Sequence, residues 1–139
     1  LRALSIQQPW AHLIASGVKD IENRTWKTAH LGLIAIHASK TADGDAVIRT
    51  EEGRALIADA LARGAIRFGA IIAVTEITGC HRDCAAGTGM CSVWAVRGQW
   101  HWHLANTRAL ATPIPAAGRL GLWPLSEGIE RQLRDQLAG

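Results

Sequence analysis

The longest apolar runs in this chain are LGLIAIHA, starting at Leu31, and GAIIAV, starting at Gly69, and both are the length of a strand. A bilayer-spanning helix needs roughly 18 apolar residues, and these runs are broken well short of that by Gly, His or Thr. Neither carries the three-to-four spacing of a surface helix. Both read as strands, the first of them buried on both faces. With 139 residues, 48% of them hydrophobic, the chain is long enough to bury a real core and short enough that residues 1–139 are expected to form a single domain.

The remaining segments lie before, between and after these two strands. Arg2–Gln7 alternates as a first strand, and Pro9 is placed at the first position of a short helix whose Trp10, Leu13 and Ile14 form its apolar stripe and which Gly17 ends. Ile21–Trp26 reads as a strand. From Ala42 to Arg63 the period is helical, with Gly53 dividing the segment, Gly64 closing it, and a solvated face of Arg49, Glu51, Glu52, Arg54 and Asp59. GAIIAVTEIT is a strand, GCHRDCAAGTGMC a loop, SVWAVR and QWHWHLAN two strands, PIPAAGRLGLWPL an extended closing stretch, and Glu127–Leu137 a final helix. Many short strands, few helices and no alternating strand–helix rhythm predict an α+β fold on a curved, mostly antiparallel sheet or small barrel flanked by helices.

A net charge of +3 and a pI near 9.1 suit an anionic partner without requiring one. The six Trp, with one Phe and no Tyr, supply flat faces able to stack on bases or fill a core. No membrane segment or signal segment is read in the chain, and a cytoplasmic location is expected.

SGVKDIENRTW, Ser16 to Trp26, concentrates the polar chemistry. On a strand Glu22, Arg24 and Trp26 share one face and Ile21, Asn23 and Thr25 the other, while Lys19, in the turn after Gly17, is free to swing toward the first set. Read alone, Glu22 and Arg24 are a surface pair about 7 Å apart along the strand, worth under roughly 1 kcal/mol. Read together with Lys19, they are a polar cluster beside an aromatic face.

LSIQQPWAHLIASGVKDIENRTW resembles the opening of ASCH domains, the activating-signal-cointegrator homology domains of the PUA-like superfamily. Their signature G-x-K-x-x-E-x-R is met by Gly17, Lys19, Glu22 and Arg24. GLIAIHASK, GAIIAVTEIT, CSVWA, WHLAN and PIPAAGRLGLWPL follow in the family's order, so the resemblance covers nearly the whole chain. Val93 departs from the Pro that relatives carry between Ser and Trp. The resemblance implies a small PUA-like β-barrel flanked by helices, with Gly17, Lys19, Glu22 and Arg24 in one cleft walled by Trp26 or Trp10. It implies binding of RNA or a modified nucleotide, with DNA or a protein partner as alternatives. Gln8, Trp94, His37 and Lys40 are placed at or near the same cleft through the family match.

The cleft chemistry divides two ways. For binding, Lys19 and Arg24 meet phosphate or a base acceptor, Glu22 accepts from an amine or hydroxyl, and Trp10, Trp26 or Trp94 stacks. For hydrolysis of RNA or of an acylated nucleoside, as in some relatives, Lys19 and Glu22 are the catalytic pair, and Lys19 needs a lowered pKa that Glu22 opposes. The hydrolase-like relatives have Thr at the position of Glu22, so their mechanism does not transfer residue for residue. A third reading is a Trp-rich surface that docks another protein.

No metal or cofactor is expected. Cys80, His81, Cys84 and Cys91 sit in one Gly-rich loop, but their spacing is not that of a zinc ribbon or finger, and adjacent Cys80 and His81 make joint coordination awkward. His101 and His103 alternate with Trp100 and Trp102, which reads as two solvated histidines on an outer face. His37, ending an apolar strand, is either a cleft residue or a core histidine satisfied by backbone.

Overall fold

The computed structural model describes residues 1–84 and 90–139. Part of the loop expected over 79–91, namely 85–89, lies outside the described residues. The elements run β1 (Arg2–Gln8), α1 (Trp10–Ala15), β2 (Ile21–Arg24), β3 (Gly32–Ala42), α2 (Glu51–Ala62), β4 (Ala70–His81), β5 (Trp100–Pro115), β6 (Leu122–Pro124) and α3 (Glu127–Ala138). The strands form one sheet in the order β2-β5-β4-β3-β1-β6. Only the β1–β3 pairing is parallel among the described residues. The two apolar runs pair with each other at its centre as β3 and β4.

Among the described residues strand pairing does not close the sheet into the expected barrel, since β2 and β6 remain its edges. The sheet nevertheless bends hard. β4 and β5 slip register at three places, and Asn106 takes φ 54° in the middle of β5. The slip between Ile71 and Ala73 adds three residues to β5 and the other two add one residue each, and such irregularities increase the local twist. As a result β2, at one end of the strand order, comes within hydrogen-bond reach of Ser5 on β1.

One face of the sheet packs Leu4, Ile34, Ile36, Ile72 and Trp102 against α1. The other packs Ala35, Ile71, Val74 and Trp123 against Leu133 of α3, whose carbonyl end receives the Arg108 guanidinium. A third cluster joins Leu13 of α1, Ile57 of α2, Ile21 and Trp94.

Several expected elements are bounded differently. α2 begins at Glu51 rather than Ala42, because Ala42 ends β3 and Thr50 caps the helix, its hydroxyl accepting from Gly53 N at 3.0 Å. Gly53 lies in the first turn and does not divide the helix. SVWAVR is no strand: Ala95 N bonds back to Ser92 O in a turn, and Trp94 is driven beneath α2 instead of onto the pleated surface. β5 continues from Trp100 through Pro115 and absorbs the start of the closing stretch, of which only Leu122–Pro124 forms a further strand. Pro9 caps α1 one position earlier than expected.

Gly53 is where α2 touches Trp94. A Cβ there would fall 2.8 Å from Trp94 Cη2, Ile48 Cγ2 and Thr50 Oγ1. Gly53→Ala therefore should destabilise the fold by about 1–3 kcal/mol, although Ala favours a helix by about 1 kcal/mol over Gly. Urea denaturation measures this, and an unchanged or raised midpoint would show that Trp94 is not packed tightly under the helix.

Candidate functional site

Lys19 reaches its place through the end of α1. Gly17, at φ +84°, turns the chain in a conformation that favours glycine, and Lys19 N then bonds Leu13 O at 3.0 Å. This folds the lysine inward, leaving it 4% exposed. Its Nζ donates to Ile21 O and to Glu22 Oε1 at 3.4 Å, and stands 5.9 Å from the centre of the Trp10 ring. Glu22, 6% exposed, accepts at its other oxygen from Arg24 Nε at 2.8 Å. Arg24 Nη2 donates to Ser5 O at 2.8 Å.

The last bond spans the seam of the sheet. Ser5 lies just past the stretch Arg2–Leu4 that pairs with β6, so its carbonyl is open to a donor from β2. Lys19 and Glu22, both buried, and the half-buried Arg24 thus form a hydrogen-bonded cluster in the gap that strand pairing leaves. The expected surface pair is instead an interior one. Its energetics follow from burial, where removing one partner leaves a charge without compensation. Burial lowers the Lys19 pKa below its ordinary value, opposed by the charge and hydrogen bond of Glu22. Glu22 therefore does not by itself hold the lysine at the ordinary amine pKa.

Above this cluster opens a cleft of about 740 Å³. Trp10, Trp26 and Trp94 line it, with Ser5, Asn23 and Gln99 among its polar residues. Trp26 lies beyond the end of β2, 37% exposed, and meets the buried Trp102 edge-on at 4.7 Å. Trp10 is steered by Asp43, whose Oδ2 accepts its indole N–H at 2.9 Å. The charged lining residues are Lys19, Arg24 and Arg49 against Glu22, Asp43 and Asp45, a balanced set.

The ASCH domain family model matches residues 4–114. The chain belongs to the ASCH domain family. A segment of 36 residues is 47% identical to Activating signal cointegrator 1 of Homo sapiens, and Activating signal cointegrator 1 of Mus musculus matches at the same identity and extent. That segment covers 26% of this chain and 6% of each relative's length.

In this ASCH domain the three charged signature residues and three tryptophans line one cleft, the place the family resemblance implied for them, whereas Gly17 shapes the turn and does not line it. Gln8 is not in the lining either. Its amide is used structurally, accepting from His12 N at 2.9 Å and donating to Arg67 O at 2.8 Å. His37 and Lys40 line a separate depression with Ser39, Gly118 and Arg119, joined to the cleft only through Ser5. His37 is a buried core histidine: Nε2 bonds Ala116 O at 2.7 Å, Nδ1 bonds Ser5 Oγ at 3.0 Å, and Trp123 stands edge-on at 5.4 Å. Burial lowers its pKa, against the opposing bond to Ala116. His101 is buried too, at 0% exposure, and is not the solvated outer-face residue expected.

Asn23 escaped the sequence reading. Its amide donates to Trp94 O at 2.9 Å and accepts from Val96 N at 2.8 Å, fastening the Trp94 turn to the cleft wall. It occupies an unspecified position of the signature, and an Asn on a short strand beside charged residues was its only signal.

Glu22→Gln should destabilise the domain by about 3 kcal/mol, because the buried Lys19 and the half-buried Arg24 lose their shared carboxylate. Equilibrium urea unfolding at neutral pH checks this. A loss below about 0.5 kcal/mol would mean that the cluster is solvated and behaves as a surface pair.

Proposed function

We propose that this ASCH domain binds RNA or a modified nucleotide by taking a single base into the cleft. The observation that carries the reading is a cleft whose floor is the Lys19–Glu22–Arg24 cluster and whose walls are tryptophans, with cations and carboxylates in equal number. A groove that tracks a phosphate backbone is strongly positive. A balanced cleft with flat walls suits one base, stacked on Trp26 and read at its edge by the donors of Arg24 and Lys19. The family match and the cointegrator relatives are compatible with a nucleic-acid or protein-binding role and do not decide the ligand. A reducing, cytoplasmic setting is part of the same proposal, compatible with Cys80, Cys84 and Cys91 being in no disulfide.

Hydrolysis of RNA or of an acylated nucleoside is the second reading, favoured by one observation. Lys19 lies at the cleft floor with its pKa lowered by burial, the condition that an amine base or nucleophile requires.

A panel of nucleosides, modified nucleosides and short single strands of RNA and DNA, titrated with tryptophan fluorescence and followed by product analysis, tests both. Binding by the cleft predicts affinity for single nucleosides, and a salt slope near 0.7 per phosphate contacted, small because few phosphates are met. Trp26→Ala should weaken binding by about 1–3 kcal/mol, roughly 5- to 150-fold. Affinity confined to long strands with a steep salt slope, and indifferent to Trp26, would contradict it. Product formation that Lys19→Met abolishes while affinity stays within a few-fold would establish the hydrolase instead.

A further inference from the structure

Next to the Trp94 turn, which His101 joins through Val96 O, His81, Cys84, Cys91 and His101 bring four ligand atoms within 4.8 Å of one another. Sheet register explains the grouping. His81 at the end of β4 sits directly opposite His101 at the start of β5, and paired residues share a face. Cys80 is opposite Trp102 and packs with it on the other face, so it stays out of the group. The ligand set considered from the sequence failed on Cys80 beside His81. The fold replaces Cys80 with His101 and removes that objection.

The separations match those around a tetrahedral ion. Cys84 Sγ is 3.6 Å from His81 Nε2 and 3.7 Å from His101 Nδ1, and Cys91 Sγ is 3.7 Å from the same Nδ1. Zinc at about 2.3 Å from sulfur and 2.0–2.1 Å from nitrogen sets such ligands about 3.6 Å apart. Each imidazole is also backed on its other nitrogen. His101 Nε2 donates to Val96 O at 2.6 Å, which leaves Nδ1 as a lone pair aimed at both sulfurs. His81 Nδ1 bonds His103 Nε2 at 3.1 Å. The Cys91 backbone N–H donates to Cys84 Sγ at 3.3 Å, the kind of support a thiolate takes. A thiol–imidazole pair for catalysis would need one of each and an open approach, whereas here both imidazoles are held from behind and His101 has no exposure.

We propose that His81, Cys84, Cys91 and His101 form a structural Zn²⁺ site. Each thiol gives up its proton to solvent on binding, so two thiolates and two neutral imidazoles neutralise the ion with no redox change. The site ties the end of β4 and the start of β5 to the turn that carries Trp94, through Val96 O on one side and the Asn23 bonds on the other. Its existence does not depend on what the cleft binds.

The test is titration of the reduced, metal-free full chain with Co²⁺, followed by Zn²⁺. The expected result is one equivalent of Co²⁺ with thiolate-to-cobalt charge-transfer absorption and tetrahedral d–d bands, both removed by one equivalent of Zn²⁺. Cys84→Ser and Cys91→Ser should each weaken binding by at least a hundredfold, and Cys80→Ser should bind as the parent does. His103→Gln, which removes only the support behind His81, should weaken metal affinity 10–100-fold. Wild-type protein without the sulfur–cobalt band overturns the proposal whether or not the variants fold. Equal loss in Cys80→Ser, or a Cys84–Cys91 disulfide whose reduction restores no metal binding, overturns it as well.

Discussion

A single guanidinium crosses the seam in this sheet. Arg24 leaves β2, gives one N–H to Glu22 and another to the carbonyl of Ser5, and so links strands that stand far apart in the hydrogen-bonded order. Much of the cleft depends on that link. Glu22 must be ionised to hold Arg24, Lys19 must be folded in by the turn at Gly17 to help balance Glu22, and the Trp10 ring lies beside Lys19. The bulges of β4 and β5 supply the curvature, and the charged cluster fills what curvature leaves open.

The cluster is also a source of chemical ambiguity. A lysine withdrawn from water tends to lose its proton, and a carboxylate beside it restrains that tendency. The same geometry therefore offers a donor for a base edge and a candidate amine for catalysis. Charge balance across the lining weighs toward recognition of one base, because a polyanion gains little from a cleft whose three cations are matched by three carboxylates. The three tryptophans are held by different parts of the molecule, Trp10 by Asp43, Trp26 against Trp102, and Trp94 beneath α2.

What the sequence disclosed follows from the range of each interaction. Lys19, Glu22 and Arg24 lie within a few residues of one another, so alternation on a strand and one turn were enough to bring them together. The α+β class was legible from strand-sized apolar runs. Trp94 was misread as a strand residue because Gly53 and Asn23, far away in sequence, decide its position. His101 was misplaced for a related reason, since its burial and its pairing with His81 depend on the register of a hairpin with a long connection. Gln8 was placed at the cleft through the family match, but both ends of its amide are committed inside the fold. The start of α2 was read too early because apolar Ala42, Ala46 and Val47 imitate a helical stripe, while the capping hydroxyl of Thr50 marks the real beginning.

The most direct examination of the cleft as the ligand site is a nitrogen–proton correlation spectrum of the side chains during titration with a single nucleoside. The indole N–H signals of the tryptophans and the Nε–H signal of Arg24 report on opposite sides of the cleft and on its floor. The account predicts that Trp26, Trp94 and Arg24 shift together along one saturating curve while Trp123, beside His37 in the other depression, stays still. Shifts centred on Trp123 with Trp26 and Arg24 unmoved would contradict it.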